Sequence, residues 1–560
     1  MKNIFSIIAG SRQRVLAVAF TATLGLGACQ VTDLQPKDVL SETAVYNDPA
    51  RIALAVAGVY NSAQSGFYDP LNGTALGVRG YPFGAASIDL GDARGEDVTD
   101  MLGFFGIVFS NTVTTASPNI VNMWSNCYAL ANQANATIEG VRKAAAAGII
   151  TAADAAVYEG ELRFLRALAH HELVLNYSRP FAENGGTSPG VPYRDTPVNT
   201  IAGLELAKTQ GRGTVADVYT KILADLDYAE ANLPVTRTLA ITPAPPAPSV
   251  TRATKGAAIA MKQIIRLHQA NWTELIKEGN KLITGTTTFT SPAPFGGSTA
   301  QYQLMPTQRA AFPGGPVATA ESVFSIENST ADNTGVNGGL SSVFATTTIN
   351  GRSLLGVSPI LYNAPFFTCA DLRRTAMMVA NPAAPSCYVI RKYTDPANNS
   401  DFAPIIRYAE VILNQAEALA RTGNSPLALS MLNAVRNRSV TTPADQFAAG
   451  SLTGNALVQA ILNERRIEFV GEGKRWGDIS RLSSEPAFAP IPGGGIPAKF
   501  YGNLGSSQVS LARYACGNTG LLTGQLVSAT PATATQFLWP IPALEVGSNP
   551  TLAAQQNPGY

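Results

Sequence analysis

The sequence predicts a mostly α-helical protein built from helix pairs, with two large loop-rich insertions. Three observations carry that expectation. Apolar residues recur at spacings of three and four through most of the chain, which lines one face of a helix. Capping and stop residues bracket many of those runs. Two stretches, 61–112 and 284–400, lose the periodicity: the first gathers glycine and aromatics, the second Thr, Gly, Ser and Pro. Long irregular stretches in a helical protein are often functional loops.

From the N-terminus, Lys2, Arg12 and Arg14 precede an apolar, charge-free run, Val15–Gly27. It has the length of a signal-peptide core and is too short to span a bilayer comfortably. The run ends Leu26-Gly27-Ala28-Cys29, which looks like a bacterial lipobox with Cys29 as the lipidated first residue of the mature chain. Residues 1–28 thus read as a lipoprotein signal peptide and 29–47 as an extended, lipid-anchored leader. Asp48-Pro49 opens a helix with a cap and a first-turn proline, running through Ile52, Val56, Val59 and Tyr60.

Helices are expected over 118–147 and 152–177, then from a Thr214–Asp217 capping box, and over 254–270 and 272–283. Regular helix returns over 404–422. Gly423-Asn424 ends it and Ser425-Pro426 starts the next. The 404–438 pair has about the length of a tetratricopeptide unit, and pairs also fit 118–177, 214–270 and 426–470. Repeat sequence within them is weak, so periodicity alone supports helical hairpins.

Composition bounds the setting. Of 560 residues, 14% are charged, against about 25% in a typical soluble protein, so neutral polar loops must cover much of the surface. That suits work outside the cytoplasm. Net charge is +1, and removing Lys2, Arg12 and Arg14 with the signal peptide gives 37 − 39 = −2, so nothing points to nucleic acid. No later segment offers about 18 uninterrupted apolar residues, so the body is expected to be soluble and held at the membrane by acyl chains.

The most specific stretch is Ile461–Leu482, ILNERRIEFVGEGKRWGDISRL. Val458, Ile461, Leu462, Arg465 and Phe469 share a helical face, which puts Arg465 on the apolar stripe with Glu468 as its nearest candidate partner. Gly471 and Gly473 suit the left-handed end of a helix, and a second helix restarts at Arg475-Trp476. The result is a tight helical corner with nothing arranged to attack, chelate or shuttle a proton.

That stretch resembles the signature of the RagB/SusD family of nutrient-uptake lipoproteins: Glu464, Arg465, Glu468, Phe469, Gly471, Glu472, Gly473, Arg475, Trp476, Asp478 and Arg481. Only Ile479 departs, from a leucine. Leu165-Arg166-Ala167, Arg407-Tyr408-Ala409-Glu410, Leu538-Trp539-Pro540 and Asn557-Pro558-Gly559-Tyr560 are further family words. The resemblance implies a SusD-like α-α superhelix of tetratricopeptide-like helix pairs. It divides the chain into an N-terminal region, 48–283, containing ligand-loop 61–112, and a C-terminal region, 284–560, containing insertion 284–400. It also implies a lipoprotein on the exterior of the bacterial outer membrane. Such a protein binds an oligosaccharide or peptide and delivers it to a TonB-dependent, SusC-like transporter without transforming it.

Catalytic patterns are missing from the sequence: no G-x-S-x-G, H-E-x-x-H or P-loop occurs, and no cofactor is implied. His170 and His171 are adjacent, so on a helix they point about 100° apart and cannot share a metal; with His268 they are expected to serve packing or surface. Asp89, Asp92, Arg94, Glu96, Asp97 and Asp100 lack the spacing of a calcium loop and read as a solvated loop with local ion pairs. Four cysteines remain beside Cys29. Cys369 and Cys387 flank one loop-like segment and are the favoured disulfide among three full pairings, while Cys127 equally suits a buried thiol. Sugars stack on exposed aromatic faces. Trp124, Trp272, Trp476 and Trp539 all fall in helices or family framework, so Tyr68, Tyr81, Phe83, Tyr302 and Tyr362 are the candidate platform. A glycan ligand is favoured, with a peptide open. A surface glycoside hydrolase and an adhesive or structural lipoprotein are the alternatives from other classes.

Overall fold

The computed structural model describes residues 41–66, 81–237, 250–296, 301–383, 386–501, 510–522 and 526–560. Cys29, the signal peptide, most of the leader and Tyr68 lie outside them. Helices Pro49–Ser65, Pro118–Ala146, Ala152–Tyr177, Val215–Asn232, Lys255–His268 and Trp272–Asn280 follow in order. After an irregular interval come Tyr408–Arg421, Ser425–Arg436, Gly454–Phe469 and Lys474–Leu482. Most start where the capping residues place them. Asp48 accepts from the N–H groups of Ala50 and Arg51, and Thr214 and Asp217 form the full reciprocal box.

Neighbours stack in sequence: 118–146 on 152–177, 152–177 on 215–232, that helix on 255–268, and 408–421 on both 272–280 and 425–436. One continuous apolar core runs from Ile52 to Leu552. Tyr408–Arg421 lies at its heart, with every residue from Tyr408 to Ala420 buried. A helix buried all round must have its polar groups satisfied. Glu417 takes both outer nitrogens of Arg481 at 2.7–2.8 Å, Asn414 accepts from Arg465, and Glu410 pairs with Lys474.

Three local expectations are corrected. Residues 403–407 form a strand, not the first turn of the next helix. Pro404 cannot donate, Ile405 and Ile406 are β-branched, and the segment pairs antiparallel with Ser322–Ile326. Residues Glu42–Tyr46 of the leader form a short helix capped by Ser41. Between Tyr177 and Thr214, where no helix was expected, Ile201–Thr209 forms one, capped by Thr200.

The two irregular regions do not stand apart. Val98–Asp100 of the first pairs antiparallel with Leu355–Val357 of the second. Nearby, hairpin Met378–Asn381/Cys387–Ile390 and the pair Lys499–Phe500/Leu526–Val527 complete a loop-built face.

Candidate functional site: an aromatic face on a locked scaffold

The signature corner is structural. Gly471 and Gly473 take φ of 83° and 75°, as their left-handed reading requires. Arg465 does not pair with Glu468; its Nε donates to Asp478 at 2.8 Å, because the turn through Gly473 folds the second helix back over the first. Glu468 is instead the hub of a buried network, meeting Arg438 at 2.5 Å, Arg407 at 3.1 Å and Arg373 at 3.2 Å. Burial pushes its carboxyl up, but those three guanidiniums outweigh it and hold it near 2.

The acids at 89–100 are not a solvated loop. All are buried, because short helix Ser87–Ala93 docks on the signature corner. Asp92 accepts from the N–H groups of Gly471 and Gly473 at 2.6 and 3.1 Å, while Glu96 and Asp97 pair with Arg475 and Arg466. Burial raises Asp92 to about 8, only partly countered by the Gly471 N–H. Arg94 lies over Trp476, 3.2 Å from the ring centroid, and faces Trp539 at 4.7 Å. The tryptophans therefore serve the framework. His170 is buried between the Arg166 carbonyl and the Arg194 N–H, and burial lowers it to about 3, so it is neutral. His171 and His268 meet edge-to-face at 4.9 Å as packing groups.

Of the aromatic candidates, two fall out of the ligand face. Tyr302 is fully buried, its hydroxyl facing Thr254, and Phe83 is 1% exposed, so both are core. Tyr81 and Tyr362 remain half-exposed.

Tyr362 belongs to a tyrosine platform whose other members the sequence did not single out. Its ring stacks on Tyr388 at 4.8 Å and 22°, and both stand edge-on to Tyr514 at 5.3 and 5.1 Å. Beneath, buried Arg374 lies 4.5 Å from the Tyr362 ring and 3.9 Å from Phe367, its guanidinium donating to the carbonyls of Phe367 and Thr368. The supporting loops are fastened together. Asn363, fully buried, donates to the carbonyls of Arg513 and Asn518 and accepts from the Ala515 N–H. A disulfide joins Cys369 to Cys516. The expected Cys369–Cys387 bridge is thus corrected: Cys387 is a buried free thiol on a hairpin strand, and Cys127 is free as well. Burial pushes Cys387 up to about 12.

A second aromatic patch comes from the first irregular region. Asp100 gathers backbone N–H groups of residues 102–105 into a turn, which leaves Phe104 42% exposed. The Arg352 guanidinium sits 5.2 Å from that ring, anchored to the Val336 carbonyl and Asn337. Gly338, next along, lets the Tyr81 ring approach: a Cβ there would meet it at 2.4 Å. Tyr514 of the platform packs on a buried floor of Met101, Cys387, Val389 and Phe500, while Tyr81, Tyr362 and Tyr388 pack on the main core. Alternating strand pattern and exposed turns carried no signal for Tyr388 and Phe104, since their exposure depends on segments that meet only in the fold.

Fold and face together define the class: a helix-pair scaffold carrying a loop-built aromatic surface. Residues 374–560 match the SusD family and residues 104–266 match a family described as starch-binding, associating with the outer membrane. The chain belongs to the SusD family. Its fold is that of a SusD superfamily protein from Bacteroides fragilis, at 23% identity over 90% of this chain and 99% of that one, TM-score 0.69. A SusD superfamily protein from Bacteroides thetaiotaomicron aligns at 21% identity over 91% and 100%, TM-score 0.67. A laminarin-binding SusD-like protein aligns at 18% identity over 92% and 100%, TM-score 0.62. No curated protein sequence matches the chain.

Proposed function

We propose that the protein is a surface lipoprotein of the bacterial outer membrane that binds an extracellular oligosaccharide and passes it unchanged to a TonB-dependent, SusC-like transporter. The carrying observation is the Tyr362–Tyr388 stack, half-exposed over a base fixed by Arg374, Asn363 and the disulfide. A rigid aromatic pair offers faces to sugar C–H surfaces at little entropic cost. Tyr81 and Phe104 extend the reading to the second patch. Family descriptions that mention starch, and a structural neighbour that binds laminarin, support a glycan over a peptide. The lipobox-like run ending at Cys29 supports the anchor.

Affinity electrophoresis of the protein against a polysaccharide panel tests the binding. Tyr362→Ala with Tyr388→Ala is expected to weaken the retained glycan at least about tenfold, roughly 1.4 kcal/mol. Unchanged retention in the double variant removes the platform from the reading, and release of shorter sugars by the purified protein replaces it with a hydrolase. Co-purification with a large outer-membrane barrel tests delivery. Cys29→Ala is expected to move the folded protein out of the membrane fraction.

A further inference from the structure

The hairpin Met378–Asn381/Cys387–Ile390 helps to line a cavity of about 370 Å³. Val389 and Ile390 of the strand that carries Tyr388 both line it. The volume sits at the lower end of small-ligand pockets, about 300–1,000 Å³, which accommodates a single sugar ring.

The lining has a definite chemistry. Among the described residues that line it, Arg309 and Arg391 are the charged ones. Arg309 donates to the backbone carbonyls of Phe312 and Arg391, and burial together with the Arg391 charge pulls its guanidinium down. Among the described residues, the exposed Arg391 side chain meets no carboxylate. The nearby acid, Asp401, is occupied by the N–H groups of Gly315, Thr394 and Asp395. Thr348 and Thr394 add hydroxyls, and Ile349 and Tyr393 add apolar wall. Two guanidiniums of like charge line a common space in which Asp401 compensates Arg309 only partly, and an oxyanion entering between them relieves their repulsion. Forked donors suit carboxylate and sulfate geometry.

We infer that this cavity is an oxyanion subsite, in which Arg309 and Arg391 hold the carboxylate or sulfate ester of an acidic sugar residue while Thr348 and Thr394 meet its hydroxyls. The inference rests on the glycan reading above and narrows the substrate class to anionic oligosaccharides.

Calorimetric titration of the full chain with oligogalacturonate, a sulfated galactan oligomer and a neutral galactan oligomer tests it. An acidic oligomer is expected to bind about tenfold or more tightly than the neutral one, and to lose that margin as NaCl rises. The carboxylate and sulfate arms distinguish the two sources of charge. Arg309→Gln with Arg391→Gln should bring the acidic ligand down to the neutral level. Because Arg309 also ties backbone, Arg391→Gln alone is the second variant, expected to remove most of the margin with thermal unfolding unchanged. Equal binding of acidic and neutral oligomers, a margin retained in both variants, or a preference for acidic peptide overturns the inference. Should no oligomer bind, the glycan reading fails separately. Saturation-transfer NMR with free galacturonate then decides the cavity, and equal signals from wild type and Arg391→Gln overturn it.

Discussion

Glu468 shows what a single buried charge does here. It sits fully buried among Arg373, Arg407 and Arg438, whose other partners are Asp371, Glu464, Glu321 and Glu472. Removing one member of such a network leaves uncompensated charge in a low dielectric. Glu468→Gln is expected to destabilise the protein by about 3–5 kcal/mol in urea unfolding at neutral pH. The pH dependence follows from the depressed carboxyl. Its folded value near 2 lies below the usual 4.5, so its stabilisation is complete above about pH 4.5 and is lost as pH falls through about 2. Unfolding midpoints should drop over that window in wild type and less steeply in Glu468→Gln, where Glu96, Glu472 and Asp478 remain depressed and still titrate. The sequence placed Glu468 beside Arg465 because only helical neighbours are visible to spacing; the true partners are Arg373, Arg407 and Arg438 for Glu468, and Asp478, beyond the turn, for Arg465.

At the scale of elements, long helices were legible because their determinants are local. Periodicity, a Thr214–Asp217 box and a first-turn proline act within a few residues of one another. The glycine pair of the signature was equally legible as a helix end, yet its second role was not. Gly473 also receives helix Ser87–Ala93: a Cβ at 473 would lie 2.6 Å from Ile88 Cα and 2.7 Å from the Ser87 carbonyl oxygen. Gly473→Ala therefore combines a left-handed backbone with a backbone collision and is expected to cost more than about 2 kcal/mol. Chemical denaturation reads the loss, and near-UV circular dichroism should change through Trp476. Strand Ala403–Arg407 was hidden for the opposite reason. Its partner, Ser322–Ile326, lies some eighty residues away, on the order of loop separations that carry no local pattern.

For the whole molecule, the decisive link is Cys369–Cys516, closing 147 residues. It fastens the platform loops across most of the C-terminal half. Cys369→Ser with Cys516→Ser is expected to lower stability by about 2–4 kcal/mol. The same variant should weaken glycan binding while leaving far-UV circular dichroism unchanged, because the helices keep their own core. Cys387 had seemed the nearer partner along the chain, but its strand turns the thiol inward against Gly356 and Met101.

The sequence by itself determined the helices, their caps, the family signature and the expectation that the two irregular regions would matter, since each of these is written in residues close together in the chain. Only the tertiary structure decided which aromatics remain exposed, which cysteines bond, and which acids are buried. Those properties depend on surfaces brought together from distant segments, such as 98–100 against 355–357 and 363–374 against 511–518. Exposure and pairing are relations between elements, and no single stretch of sequence carries them.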